Sequence, residues 1–415
     1  MKILWVSHFV PWPPKGGNLQ RSYYLMRALA EEATVDLISF HRRASRADGD
    51  LPGARAALRE ICRDVEIFPI PNEASRLRFA AGLARNLAER EPYTVMELRS
   101  RPFRQSLARR LREGAYDAVH FDTIDLAPYR PLAGEGPAVL NHHNIESLLF
   151  RRRAPFERNP LAGRYVALQS RRLARAERRW YRAFDMNLFV SEADREAARE
   201  EAGPFDAEVV PNGVDTEYYR PGTEGEADRI VWVGGLGWFP NRDAVAHLLA
   251  DIWPRIRAAR PEAELDLVGA APRPLRPAGW DGPGVKVHGF VDDLRPLVAR
   301  AKVFVVPIRV GGGTRLKILD AMAMGKAIVS TTIGAEGLDG SGGEEWITAD
   351  APEEFARAVV RLLGDGDARR RVGAAARKGA ERRYAWRIVG EKFRRVYRDL
   401  VRAGGEVRGE EERGE

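Results

Sequence analysis

Three consecutive glycines, Gly311, Gly312 and Gly313, run into Thr314, Arg315, Leu316, Lys317 and Asp320. Backbone N–H groups behind a glycine run can close around an anion, and a helix start adds positive partial charge. Helical spacing begins here, in Leu316, Leu319, Met322 and Ala323, directly after the apolar run VFVVP at 303–307. Arg315 and Lys317 bring two cations to that turn, which suits a diphosphate. Asp320, a turn or so into the helix, can accept hydrogen bonds from sugar or ribose hydroxyls. The plainer reading of the same residues is a solvated cationic face with Asp320 answering the helix dipole. The pattern GxxxxGK[ST] is absent, so this is not a Walker loop.

Two more glycine-rich stretches follow apolar runs. Gly16 and Gly17 precede a helical pattern beginning near Asn18, without the GxGxxG spacing of a dinucleotide site. VGGLGWFPN at 233–241 offers Gly234, Gly235 and Gly237 to a ligand, with Asn241 placed to cap the next helix. Tight strand–helix packing explains such glycines equally well. His142 and His143 stand together at a strand end before Glu146, where His143 can orient a polar ligand or pair with Glu146. His120 also ends a strand. No HxxxH or other ligand spacing occurs, so no metal site is expected, and GxSxG is missing.

The elements that must position these groups come in two similar series. ILWV, VDLISF, EIFPI, AVHF, AVLNHH and MNLFV alternate with helical stretches through the first half, Pro69 marking EIFPI as an edge or a strand end. After PNGVD at 211–215 and a linker at 216–228 the rhythm restarts with RIVWVGG, ELDLVG, VKVHGF, VFVVP and AIVST. These read as buried strands of two doubly wound α/β sheets, whose ligands bind beyond the carboxyl ends of the strands. Trp386, Val389, Phe393, Val396 and Leu400 share one helical face near the end.

The chain has 415 residues, too many for one ordinary core, and its 44% hydrophobic and 30% charged content points to a folded globular protein. A single cysteine, Cys62, excludes a disulfide framework and fits a reducing compartment. No signal-peptide pattern opens the chain and no apolar run spans a bilayer, so the expected location is the cytoplasm. The net charge of +8 is confined to one half: residues 1–205 carry 34 Lys+Arg against 26 Asp+Glu, the remainder 33 of each. Eleven arginines fall in 151–182, opposite a seam of Val166, Leu173, Trp180 and Phe184, and the stretch 76–90 is basic and amphipathic too. Such faces suit either plain solvation or an anionic membrane surface. Nucleic acid is not expected, since aromatics do not alternate with the basic residues.

PNGVDTEYYRP, the Gly289–Phe290–Val291 stretch, GGGTRLKILDAMAMGKAIVST, HHNIES and FVSEADRE together resemble glycosyltransferase family 4, in consistent order over about residues 1–400. The resemblance is nearest to bacterial exopolysaccharide-type sugar transferases. It implies the GT-B fold: two Rossmann-like domains facing across a cleft, with a final helix crossing back to the first. On that basis 1–210 is expected to bind the acceptor and 211–380 the nucleotide sugar. A crossover helix at 381–402 and a disordered tail at 403–415 complete the plan.

The resemblance also implies a retaining, metal-independent transfer from a nucleotide sugar, with no other cofactor. The acceptor would be a glycan or a lipid-linked sugar, the setting cell-envelope or polysaccharide synthesis, and the membrane contact peripheral at its inner face. His143 matches the histidine beside the transferred sugar. Gly16 and Gly17 match the loop near donor phosphate, and Phe290 and Val291 the loop bordering the base. Of the family's two acidic positions, Asp320 fills the second and Gly312 the first, while Gly235 stands where the family has an arginine. Arg315 and Lys317 are therefore expected to supply the diphosphate charge, within a donor site that also includes Gly313, Thr314 and Leu316. The alternatives are a GT-B epimerase or hydrolase of nucleotide sugars, and a non-catalytic subunit that binds them.

Overall fold

The structure is a computed structural model describing residues 1–42, 50–71, 76–157, 159–340 and 342–414, without the side chains of 76, 78, 80 and 405–414. The chain divides into two compact units, one comprising Met1–Pro211 with Val389–Glu415 and the other Asn212–Ile388.

The first unit is built on seven parallel strands: β1 (Lys2–Ser7), β2 (Thr34–His41), β3 (Asp64–Pro69), β4 (Ala118–Phe121), β5 (Ala138–Asn141), β6 (Met186–Phe189) and β7 (Ala207–Val209). Their order is β3-β2-β1-β4-β5-β6-β7. Parallel sheets are covered on both faces, which is why ILWV and AVLN read as unbroken apolar runs rather than alternating ones. Pro69 closes β3 at the sheet edge, where a missing N–H is tolerated. The basic segment forms the helix Pro160–Trp180, with Val166, Leu173 and Trp180 buried and Phe184 in the core beyond its end.

The last helix, Trp386–Gly414, contributes Phe393 and Tyr397 to this first core. The Trp5 ring stacks on His120 at 3.6 Å, and the Tyr397 hydroxyl lies 2.5 Å from His120 Nδ1. His120 is thus a core group joining the sheet to the final helix. The tail expected at 403–415 coincides with the end of this helix; residue 415 and the side chains from 405 lie outside the described residues.

The second unit has six parallel strands: β8 (Arg229–Val233), β9 (Glu264–Val268), β10 (Val285–Gly289), β11 (Val303–Val306), β12 (Ala327–Ser330) and β13 (Ile347–Thr348), in the order β10-β9-β8-β11-β12-β13. Strands β8, β11 and β12 are buried as their apolar runs predict. β10 is not: as an edge strand it leaves Val287 partly exposed. The short β7 and β13 carry too few apolar residues to stand out in the sequence. Among the described residues no helix is long and apolar enough to cross a membrane.

Strand order reverses direction between β1 and β4 in one unit and between β8 and β11 in the other. Helices leave opposite faces of the sheet at such a point, so a crevice opens beyond the strand ends. Most residues singled out for chemistry lie after these strands or their immediate neighbours, while Phe290 and Val291 follow the edge strand β10.

Candidate functional site

In the first unit, a buried carboxylate organises the crevice. Asp122, just beyond β4, accepts hydrogen bonds at Oδ2 from Ser22 Oγ (2.6 Å) and Ser7 Oγ (3.4 Å). Its Oδ1 accepts from Asn141 Nδ2 at 2.8 Å and faces His143 Nε2 at 3.1 Å. Since an ionised carboxylate only accepts, His143 donates through Nε2. Burial by itself would raise the Asp122 pKa, but the His143 charge and hydrogen bond, with His120 Nε2 at 3.6 Å, outweigh it and hold the group well below its ordinary value. Arg21, also buried, donates to Asn141 Oδ1 at 2.9 Å and to the Val210 carbonyl at 2.9 Å.

His143 therefore has its ring fixed by Asp122, not by Glu146, which instead accepts from Asn144 Nδ2 at 3.3 Å. His8 and Phe9 pack around the same ring, with centroids 6.1 and 5.9 Å away. Burial, followed by the charge of His143, pushes the His8 pKa down to about 3. His142 points elsewhere, stacked on Phe189 and bonded to Asn187, and burial takes it down to about 3 as well. Gly16 and Gly17 are exposed at the start of the helix Gly17–Ala30. Gly16 has φ 105°, a conformation that favours glycine, and no side chain caps the N–H groups behind it.

In the second unit, Lys317 lies between the loop after β8 and the helix after β11. Its Nζ donates to Asn241 Oδ1 at 2.7 Å and lies 4.9 Å from the Trp232 ring centroid. Asn241 Nδ2 donates onward to the Gly235 carbonyl at 2.9 Å. Asn241 thus ties the loop after β8 to the helix after β11 and does not cap its own helix, which begins after Trp238 with no side-chain cap. Gly234 leaves room beside the pair, since a Cβ there would lie 2.8 Å from Lys317 Nζ and 2.9 Å from the Asn241 amide. Gly235 has open space on its Cβ side, the nearest atom being the Ala270 carbonyl oxygen at 3.9 Å.

Arg315 lies elsewhere than a ligand-facing cation would. Its guanidinium is buried, 3% exposed, and donates to the carbonyls of Gly312, Gly313 and Ile333, with Glu336 at 3.8 Å. Gly311 makes room for it: a Cβ there would lie 2.5 Å from Nη2. Carbonyls accumulate on the inner side of a tight glycine loop, and the five-donor fork gathers them. The glycine run is consequently a buried, side-chain-filled turn, with Gly312, Gly313 and Thr314 buried and Leu316 half-buried at the helix start.

Lys317 and Asp320 line one small cavity whose other walls include Val233, Phe304 and Met324. Apolar walls disfavour both charges. Burial and then the Arg315 charge lower the Lys317 pKa to about 7, and burial raises that of Asp320 to about 8. Asp320 Oδ1 has no hydrogen-bond partner among the described residues. Phe290 is 38% exposed after β10, while Val291 packs against the core beneath. Sequence reasoning missed Asp122, Trp232 and the bridging role of Asn241. A carboxylate directly after the AVHF strand was the available signal for Asp122.

A family model described as Glycosyltransferase Family 4 matches residues 92–218, and one described as Glycosyl transferases group 1 matches residues 227–365. A GDP-mannose-dependent monoacylated alpha-(1-6)-phosphatidylinositol monomannoside mannosyltransferase from Corynebacterium glutamicum is 26% identical over 219 residues, 46% of this chain and 55% of that protein. The chain spans about half the length of the first curated relatives it matches. Sucrose-phosphate synthase from Thermosynechococcus elongatus has the same fold, with TM-score 0.72 and 17% identity over 97% of this chain and 100% of that one. The Anabaena protein HepE, solved in complex with UDP and glucose, gives TM-score 0.66 and 16% identity over 95% and 99%.

Proposed function

The chain belongs to glycosyltransferase family 4 and has the two parallel-sheet units of the GT-B fold, and from this we propose that it moves a sugar from a nucleoside diphosphate sugar to a glycan or lipid-linked acceptor in cell-envelope synthesis. The observation that carries the reading is Lys317, held between Asn241 and Trp232 at the strand-order reversal of the second unit. A cation with a lowered pKa in an apolar setting gains most when an anion arrives, so a diphosphate there recovers its proton and its charge. Asp320, protonated near neutrality, donates or accepts toward ribose or sugar hydroxyls, and Phe290 and Val291 border the base. Arg315 acts as a positioning residue that shapes the loop presenting Lys317.

In the transfer, the bond from the anomeric carbon to the diphosphate oxygen breaks and a bond to the acceptor oxygen forms on the same face. The acceptor proton passes to the departing phosphate oxygen, which gives retention without a metal. His143, oriented by Asp122, contacts the sugar, and the bare helix start after Gly16 favours phosphate. The mannosyltransferase relative uses GDP-mannose and HepE was solved with UDP, so both bases belong in the test. The basic N-terminal helices are proposed to hold the protein at an anionic membrane, helped by Leu77 and Leu87, which are 84% and 61% exposed on the helix Arg76–Ala88.

The test is a panel of UDP- and GDP-sugars with lipid extract and oligosaccharide acceptors, the anomeric configuration of the product being read by NMR. A product of retained configuration, lost in Lys317→Ala, is expected. Release of free sugar or an epimer without acceptor, or donor binding with no product, would replace this reading by one of the two alternatives.

A further inference from the structure

A second basic site lies in the first unit, apart from the residues assigned to sugar transfer. The helices Glu146–Arg153, Pro160–Trp180 and Glu192–Ala202 enclose a cavity of about 300 Å³, at the lower end of the range for small-ligand pockets. Its floor is apolar, including Ile145 and Leu148, and four arginines line it: Arg151, Arg171, Arg175 and Arg178. Glu201 is the one acidic group in the lining, and it is paired with Arg178. Arg151, Arg171 and Arg175 form no ion pair among the described residues.

The arrangement has no evident folding purpose. Positions 171, 175 and 178 fall on one helix face, where like charges a turn apart repel and weaken the helix. The neighbouring Arg172 shows how this helix uses an arginine structurally: it turns inward, buried, and donates to the Asn86 carbonyl at 2.8 Å. Arg151, Arg171, Arg175 and Arg178 are instead exposed and line the cavity. Four arginines around a small concave site whose single carboxylate, Glu201, is paired with Arg178 suit the oxygens of a phosphate, which accepts several forked N–H pairs at once.

We propose that this cavity binds a phosphate-bearing small anion, with Arg151, Arg171 and Arg175 as its ligands and the apolar floor receiving the group esterified to it. The same phosphate chemistry can come from a soluble phosphate or from a phospholipid headgroup, and the experiment separates the two. The full chain is titrated calorimetrically with inorganic pyrophosphate. In parallel it is floated with phosphatidylcholine vesicles, with and without phosphatidylglycerol. Both measurements are repeated on R171Q/R175Q, on Arg112→Gln as an exposed arginine away from the cavity, and on Lys317→Ala to remove binding in the other unit.

Binding in either arm should weaken about tenfold or more in R171Q/R175Q and no more than about twofold in Arg112→Gln. Loss in the pyrophosphate arm identifies a soluble ligand, and loss confined to the anionic vesicles a headgroup. The proposal is overturned if neither probe binds, or if Arg112→Gln weakens binding as much as the double variant. It also fails if pyrophosphate binding disappears in Lys317→Ala and survives intact in R171Q/R175Q. Because the double variant leaves the Lys317 region untouched, sugar transfer to a soluble oligosaccharide acceptor should persist in it, and these failures are distinct from failure of the transferase reading.

Discussion

Lys317 Nζ sits 2.7 Å from Asn241 Oδ1, joining a helix that follows one strand to a helix that follows its neighbour in the sheet. Asn241 supplies a neutral acceptor, so the ammonium is held in place without being neutralised. Its charge remains for an incoming anion. Asn241→Asp should raise the Lys317 pKa and weaken donor affinity by partly compensating the cation, whereas Lys317→Ala should weaken it about tenfold or more. Calorimetric titration with UDP- and GDP-sugars measures both. Wild-type affinity in Asn241→Asp would show that this pair does not face the donor.

The lowered pKa of Lys317 sets a pH dependence. With its value at about 7, the empty protein has lost much of this proton by pH 8. Binding of an anion should therefore take up a proton between pH 7 and 9, and affinity should fall as pH rises. Calorimetry in buffers of different ionisation enthalpy reads the uptake directly, and Lys317→Met should abolish it.

Asp320 makes the opposite contribution, to stability. Its folded pKa of about 8 lies above the ordinary 3.8, so the folded chain holds this proton more tightly. The stabilisation is complete below pH 3.8 and is lost as pH rises through 8. Asp320→Asn has no proton to lose, so its melting temperature should exceed that of the wild type by a few °C at pH 8, the gap closing toward pH 5. Melting curves across that range check it; a gap that widens on acidification would contradict the assignment.

Arg315→Ala should cost about 2–3 kcal/mol of stability, since three carbonyls inside the turn lose their donor. That corresponds to a fall of roughly 5–10 °C in melting temperature. The sequence alone suggests a surface cation whose loss affects turnover and spares stability. Thermal unfolding of Arg315→Ala and Arg315→Lys separates the two views, because a single ammonium cannot reach all three carbonyls.

Asp122 gives the first unit an acid-sensitive centre. Its pKa lies well below 3.8, so its stabilisation is present above pH 3.8 and is lost as pH falls beneath it. Asp122→Asn should remove that dependence and lower sugar transfer by releasing the His143 ring, with His143→Gln lowering transfer and leaving the acid transition in place. Acid titrations followed by circular dichroism, together with transfer assays, distinguish these outcomes.

The architecture was legible because buried parallel strands print themselves as short apolar runs. ILWV, RIVWV and VFVV each became a central strand. The glycine loops were also recognisable, as breaks in those runs. Side-chain direction was not. Whether Arg315 faces a ligand or its own loop depends on carbonyls placed by backbone torsions, and Gly311 fits either case. The role of Asp122 is not legible in the sequence, because Ser7, Ser22, Asn141 and His143 come from separate segments that only the folded sheet assembles. Asn241 reads locally as a helix cap, since its true partner, Lys317, is 76 positions away.

The Tyr397–His120 contact implies an order of events during synthesis. Trp5 and His120 leave the ribosome well before the residues that shield them, which come from the helix Trp386–Gly414, Tyr397 following His120 by 277 positions. The amino-terminal half must therefore wait, incompletely covered, while everything between is made, and premature termination before Phe393 would strand it with an open apolar flank for chaperones or proteases to find.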